Sequence, residues 1–254
     1  MDLINFTSII IIILSIFQTI AGVGILVLGT PILLLMGLEM IEVMSLLLPL
    51  SMMNSLINLI YLSHNKKNIK IDKKMKNFFF LICLPGIFFG LFFLKKFNNF
   101  INFNLMVCFV IWIVIFFSYL NNKNNLNLIN KFKRSMIFVT GFVHGITNSG
   151  GSLLSILVIK SYNRSLNYVR YQIIFFYFFL ALFQYLSIIF LFGYDHYIKI
   201  NWIYFLYLFP GVIAGNLLSK KVSNKQLKIL KKNKQKKIPG KQIKKKKFFI
   251  FLSI

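Results

Sequence analysis

Acidic residues are nearly missing from this chain. Asp2, Glu39, Glu42, Asp72 and Asp195 stand against 30 Lys and Arg in 254 residues. None of the five lies deep in an apolar run, so no carboxylate pair is placed for acid–base work. Histidine and cysteine are equally scarce, at three and two, and no His/Cys/Asp set has metal-ligand spacing. No serine sits in a nucleophile elbow, and GVGILVLG at 22–29 lacks the strand–turn–helix context of a dinucleotide fingerprint. No catalytic residue, metal or cofactor is therefore expected, and the chain does not read as an enzyme. Cys83 and Cys108 both fall in apolar runs and read as two buried thiols. The strict alternation of a β-barrel is absent. Residues 1–3 carry no positive charge and the first apolar run is too long for an h-region, so no cleavable signal is read.

What is present is apolar. Hydrophobic residues make up 57% of the chain and the mean hydropathy is +0.74, far above a soluble domain. Apolar segments recur at about 4–36, 43–63, 77–94, 103–120, 135–159, 171–192 and 200–218, the pattern of membrane spans. The fold class is an all-α polytopic membrane protein. The net charge of +25 does not imply nucleic acid. Fourteen of the 30 basic residues lie between Lys220 and Lys247 and the rest sit in short loops, where they set orientation and meet anionic lipid.

Two sequence features organise the chain. The first is a repeat. FLICLPGIFFGLFFLKKFNN (80–99) matches FLYLFPGVIAGNLLSKKVSN (205–224) at an offset of 125, with PGxxxG in phase. The same offset carries Gly22–Pro31 onto Thr147–Ile156. The reading is two homologous repeats of about four apolar segments, each opening with a glycine-broken helix. Residues 1–120 form the first repeat, 121–134 a basic linker and 135–226 a second repeat. Residues 227–254 form a Lys-rich tail, solvated, disordered or lying on anionic lipid. The partners of 102–120 cannot span, and the terminal FFIFLSI is too short, so the last span of the second repeat is expected to be missing. Duplication of this kind is common in secondary transporters, with the site at the repeat interface.

The second feature is GITNSGGS (145–152) inside an apolar run. Its polar groups are costly in hydrocarbon unless they face protein, water or a ligand. A broken helix exposes backbone N–H groups and the positive end of its dipole, which favour an anion. The expected solute site comprises His144, Thr147, Asn148, Gly150, Gly151 and Ser152, with Gly22, Gly24 and Thr30 flanking from the first repeat and Asn54 from the polar face Ser51/Asn54/Ser55/Asn58. His144 is also a candidate proton partner. The competing readings are close packing through small residues such as Gly141-x-x-x-Gly145, and polar groups that bond helices together. Loop charge favours a segment 135–159 that turns back on itself. Loops 64–76, 121–134 and 160–170 then share one side with 13 Lys and Arg, against 3 in the other two loops, and the repeats are inverted.

GVGILVLGTPILLLMG (22–37), GITNSGGSLLSILV (145–158) and PGVIAGNLLSKKVSNKQLKIL (210–230) resemble the TauE/SafE sulfite-exporter family. The likeness covers roughly residues 5–230. It implies an inner-membrane, multi-pass permease of about eight spans in two repeats, exporting small anions such as sulfite or organosulfonates. Ile25-Leu26 replaces glycine often seen in the family's first motif. The implied partners are a small anionic solute and membrane lipid. The alternatives are a non-transporting membrane protein that binds a partner or anionic lipid, and a truncated, inactive permease.

Overall fold

The computed structural model describes residues 3–65, 70–97, 102–119, 132–162, 166–193 and 202–235. Six of the 16 loop Lys and Arg used for orientation, Asp195, and the terminal residues 236–254 lie outside these. The described residues are helical, with no strand among them. We number the helices α1 (Leu3–Ala21), α2 (Ile25–Leu35), α3 (Met40–Asn65), α4 (Lys73–Phe97), α5 (Phe103–Tyr119), α6 (Lys133–Thr147), α7 (Gly150–Ser161), α8 (Leu166–Phe192) and α9 (Ile203–Gln235). α3, α4, α8 and the stretch Ile203–Lys221 of α9 are long and apolar enough to cross a membrane. α2 and α7, at 11 and 12 residues, reach only about 16–18 Å at 1.5 Å per residue and cannot cross alone.

Contacts fix the running directions. Ser15 meets Asn54 and Thr19 meets Asn58, so α1 and α3 run the same way. The chain between them must turn back. It does so through α2, where a Cβ on Gly29 would lie 3.0 Å from Leu14 of α1. The first broken segment is thus a helical hairpin. The second doubles back too: a Cβ on Gly150 would lie 2.5 Å from the His144 side chain, across the turn. α3 and α8 are antiparallel, Met44 meeting Gln184 and Asn58 meeting Arg170.

The PGxxxG motifs are packing surfaces. On α4, a Cβ at Gly86 would lie 2.7 Å from the Phe138 carbonyl, and Gly90 abuts Gly145. On α9, Gly211 and Gly215 sit on Ser15 and Thr19 of α1. Without side chains these helices approach backbone to backbone. A π turn at Phe79–Cys83 of α4 presents the Cys83 carbonyl against Gly141. The packing explanation therefore accounts for Gly141 and Gly145.

Two boundaries and one burial differ from the sequence expectation. α8 begins at Leu166, which moves Arg170 from a loop into a helix. α9 runs to Gln235, well into the segment read as a solvated tail. Cys83 is buried, but Cys108 is exposed on α5, a face of which also carries exposed Leu105, Phe109, Trp112 and Phe116.

Candidate functional site

Both hairpins turn through a left-handed residue. Gly22 has φ of 88° and Asn148 has φ of 61°. Glycine adopts this backbone without strain, and Asn tolerates it best among side-chain-bearing residues. The left-handed residues Gly22 and Asn148 stand 126 apart, and the helix starts Ile25 and Gly150 stand 125 apart. The α4 and α9 motifs gave 125 and paired Gly22 with Thr147. The Met44–Gln184 and Asn58–Arg170 contacts exchange under the same 126.

The two turns are finished differently. At the first, Gln18 accepts from the Ile25 N–H, the start of α2, at 3.1 Å. Its amide nitrogen donates to the Ser51 carbonyl and to Ser55 Oγ, both at 2.9 Å. Gln18 therefore fills the opening that the broken helix creates. At the second, α7 begins at Gly150, and its N-cap Ser149 makes no side-chain cap. Ser149 and Ser152 direct their hydroxyls to the carbonyls of Thr147 and Ser149. The Thr147 hydroxyl donates to the Val143 carbonyl.

Buried polar atoms without a hydrogen-bond partner lie around this second turn and, across the Tyr177 ring, at the start of α2. They are both ring nitrogens of His144, both amide atoms of Asn148, Oε1 of Gln184 and the Tyr177 hydroxyl. All four side chains are fully buried. Gln184 donates to the His144 carbonyl at 3.0 Å, the His144 ring lies beside the Asn148 backbone, and the His144 and Tyr177 rings are 6.4 Å apart. Tyr177 joins the two hairpins. Its ring lies on Gly151, where any Cβ would collide with it. Its hydroxyl lies at the start of α2, beside the backbone of Gly24, Leu26 and Val27 and the Ser51 side chain, without hydrogen-bonding geometry to any of them.

The residues expected from sequence thus separate. His144, Asn148, Gly150 and Gly151 gather around the second turn. Thr147 and Ser152 are beside it, with their hydroxyl protons committed to the backbone. Gly22 packs against Ile173, and Gly24 against the backbone of Gln18. Thr30 is buried with its hydroxyl unpaired. Asn54 is not free: it donates to Ser15 Oγ at 2.7 Å and accepts from Asn58 at 2.7 Å. The polar face of α3 bonds α3 to α1. Sequence reasoning missed Tyr177, whose neighbours in FFYFFL carry no polar signal. Gln18 and Gln184 are single polar residues in apolar runs and form no pattern in the sequence. A cavity of about 390 Å³ lies elsewhere, between α5, α6 and α7. Its walls, including Val110, Val139, Leu153 and Leu157, are apolar and offer an anion almost nothing.

Among the described residues no cluster of His, Cys, Asp or Glu could hold a metal ion. The family model that matches the chain is that of the sulfite exporter TauE/SafE, over residues 7–232. No curated protein and no solved structure matches it.

Proposed function

The chain belongs to the sulfite exporter TauE/SafE family and is a multi-pass membrane transporter; on that premise we propose that it carries a small oxyanion, sulfite or an organosulfonate, out across the cell (inner) membrane, and that the solute binds at the second hairpin turn. The carrying observation is the unpaired set formed by His144, Asn148, Tyr177 and Gln184. A buried polar atom without a partner costs about 1–3 kcal/mol, and such atoms are rare singly. Six together form a surface made to pair with something else. The Asn148 amide, the Tyr177 hydroxyl and an imidazole N–H supply donors. The uncapped start of α7 adds backbone dipoles that favour negative charge. All of these donors are neutral, which suits a carrier: binding must be strong enough to desolvate the solute and weak enough to release it.

The same reading takes the chain as two inverted repeats. The pairing of α1 with α9 and of α4 with α6, and the exchange of contacts at an offset of 126, support it. The antiparallel course of α3 and α8 puts the relating axis across these helices, in the membrane plane. Ser51 and Tyr177 are then equivalent residues beside that axis, between the two turns. Rocking of one repeat on the other would expose the turns alternately to either side.

A hydrogen bond to a charged group contributes about 1.5–3 kcal/mol, and each 1.4 kcal/mol is about tenfold. Labelled sulfite flux into proteoliposomes should therefore fall about tenfold or more in Asn148→Leu, at equal recovery of folded protein. Undiminished flux in that variant refutes the site.

A further inference from the structure

A second polar centre lies outside the hairpin turns. Arg170 of α8 is 8% exposed. Its Nη1 donates to Ser219 Oγ at 2.6 Å, and its Nη2 donates to Asn216 Oδ1 at 3.0 Å and Asn58 Oδ1 at 3.3 Å. Each partner is a neutral oxygen. The titratable side chain beside it is Tyr61, and Lys220 lies over the Tyr61 ring. The carboxylates among the described residues are used elsewhere: Asp72 caps α4 through the Met75 N–H, Glu42 accepts from the Glu39 N–H, and Glu39 is exposed. The Nε–H of Arg170 is buried and has no partner.

A guanidinium withdrawn from water without a countercharge is expensive. Inside a membrane protein such a charge marks a solute path or a ligand. Neutral oxygens satisfy three of its donor interactions and leave its charge uncompensated. Arginine's fork matches an oxyanion bidentately. The geometry points to Arg170, with Asn58, Asn216 and Ser219, as a second anion site, a fixed-charge station at which a sulfonate, sulfite or similar oxyanion waits before reaching the uncharged hairpin site. Asn58 also bonds Thr19 and Asn54 of the α1–α3 contact, which brings an occupant of this site next to the first hairpin. The inference rests on the reading of the chain as an oxyanion transporter.

The test is protection of Arg170 from phenylglyoxal in the wild-type chain, purified in a neutral detergent without anionic lipid. Mass spectrometry reads Arg134, Arg164 and Arg170, the three arginines of the chain, separately. Sodium methanesulfonate should slow modification of Arg170 about fivefold or more and leave Arg134 unchanged. The same protection should appear in Asn148→Leu, because the two sites are separate. Equal rates with and without methanesulfonate overturn the proposal. So does an Arg170 that the reagent never reaches, since no solute would reach it either. Protection by sodium chloride at equal ionic strength overturns oxyanion recognition. Protection by phosphatidylglycerol vesicles alone, with none from methanesulfonate, makes the occupant a lipid headgroup and overturns a station for solute. If Asn148→Leu transports normally while Arg170 is protected, the hairpin site falls and the Arg170 site stands.

Discussion

The two hairpin turns share a backbone and differ in what completes them. Each ends a long helix in a left-handed residue and starts a short one at a glycine or just after it. At the first turn Gln18 caps α2 and ties it to α3, so the polar groups of that turn bond one another. At the second, no side chain caps α7, and His144, Asn148, Gln184 and Tyr177 keep unpaired atoms. One backbone device therefore serves two ends. Closed by its own glutamine, it is structure. Left open, it is the turn proposed here to present donors to a solute.

The comparison can be broken most severely at the close approaches. Gly150→Val places a side chain in the Thr140 carbonyl and His144, and Gly24→Val places one 2.6 Å from the Gln18 backbone. Either should abolish folded protein, read as loss of the monodisperse peak in detergent. Next is the cap. Gln18→Leu leaves the Ile25 N–H without its acceptor and strips Ser51 and Ser55 of their donor. It should cost about 2–4 kcal/mol at roughly 1–3 kcal/mol for each group left unsatisfied, read as a lower melting temperature. Flux per folded molecule should fall less than in Asn148→Leu, because His144, Asn148 and Gln184 keep their unpaired atoms. The smallest effect is expected from Gly22→Asn. Asn accepts the left-handed backbone, but its Cβ would lie 2.9 Å from Ile173. The cost should be about 1–2 kcal/mol, again by thermal melting, with transport retained. The hairpin itself is tested by single cysteines at Arg134 and Ser161, in a chain with Cys83 and Cys108 replaced by serine. An impermeant maleimide should label both from the same side of the membrane. Labelling from opposite sides contradicts a second segment that turns back.

Much of this was legible in the sequence because glycine and proline punctuate long apolar runs. The breaks at Gly22–Gly24 and Asn148–Gly151, and the PGxxxG contacts, are local signals. The motifs of α4 and α9 carry Gly22 onto Thr147, whereas the left-handed residue of the second turn is Asn148, a one-residue difference that those motifs do not report. Asn54 looked like a site residue since its face is polar, yet that face is matched to Ser15 and Thr19 of α1, a pairing that only the fold reveals. Tyr177 was hidden in an aromatic run. Its position follows from Gly151, which leaves room for its ring, and puts its hydroxyl beside the start of α2. Arg170 read as loop charge because the polar stretch KSYNRSLN (160–167) precedes it, and only the start of α8 at Leu166 places it in a helix.

The most direct measurement is labelled sulfite flux in Asn148→Gly, taken with its melting temperature. Glycine keeps the left-handed turn, as Gly22 does at the first hairpin, and removes only the unpaired amide. A melting temperature close to wild type with flux reduced about tenfold is the predicted result. Flux equal to wild type in a stable Asn148→Gly protein would show that the second turn, like the first, is only structure.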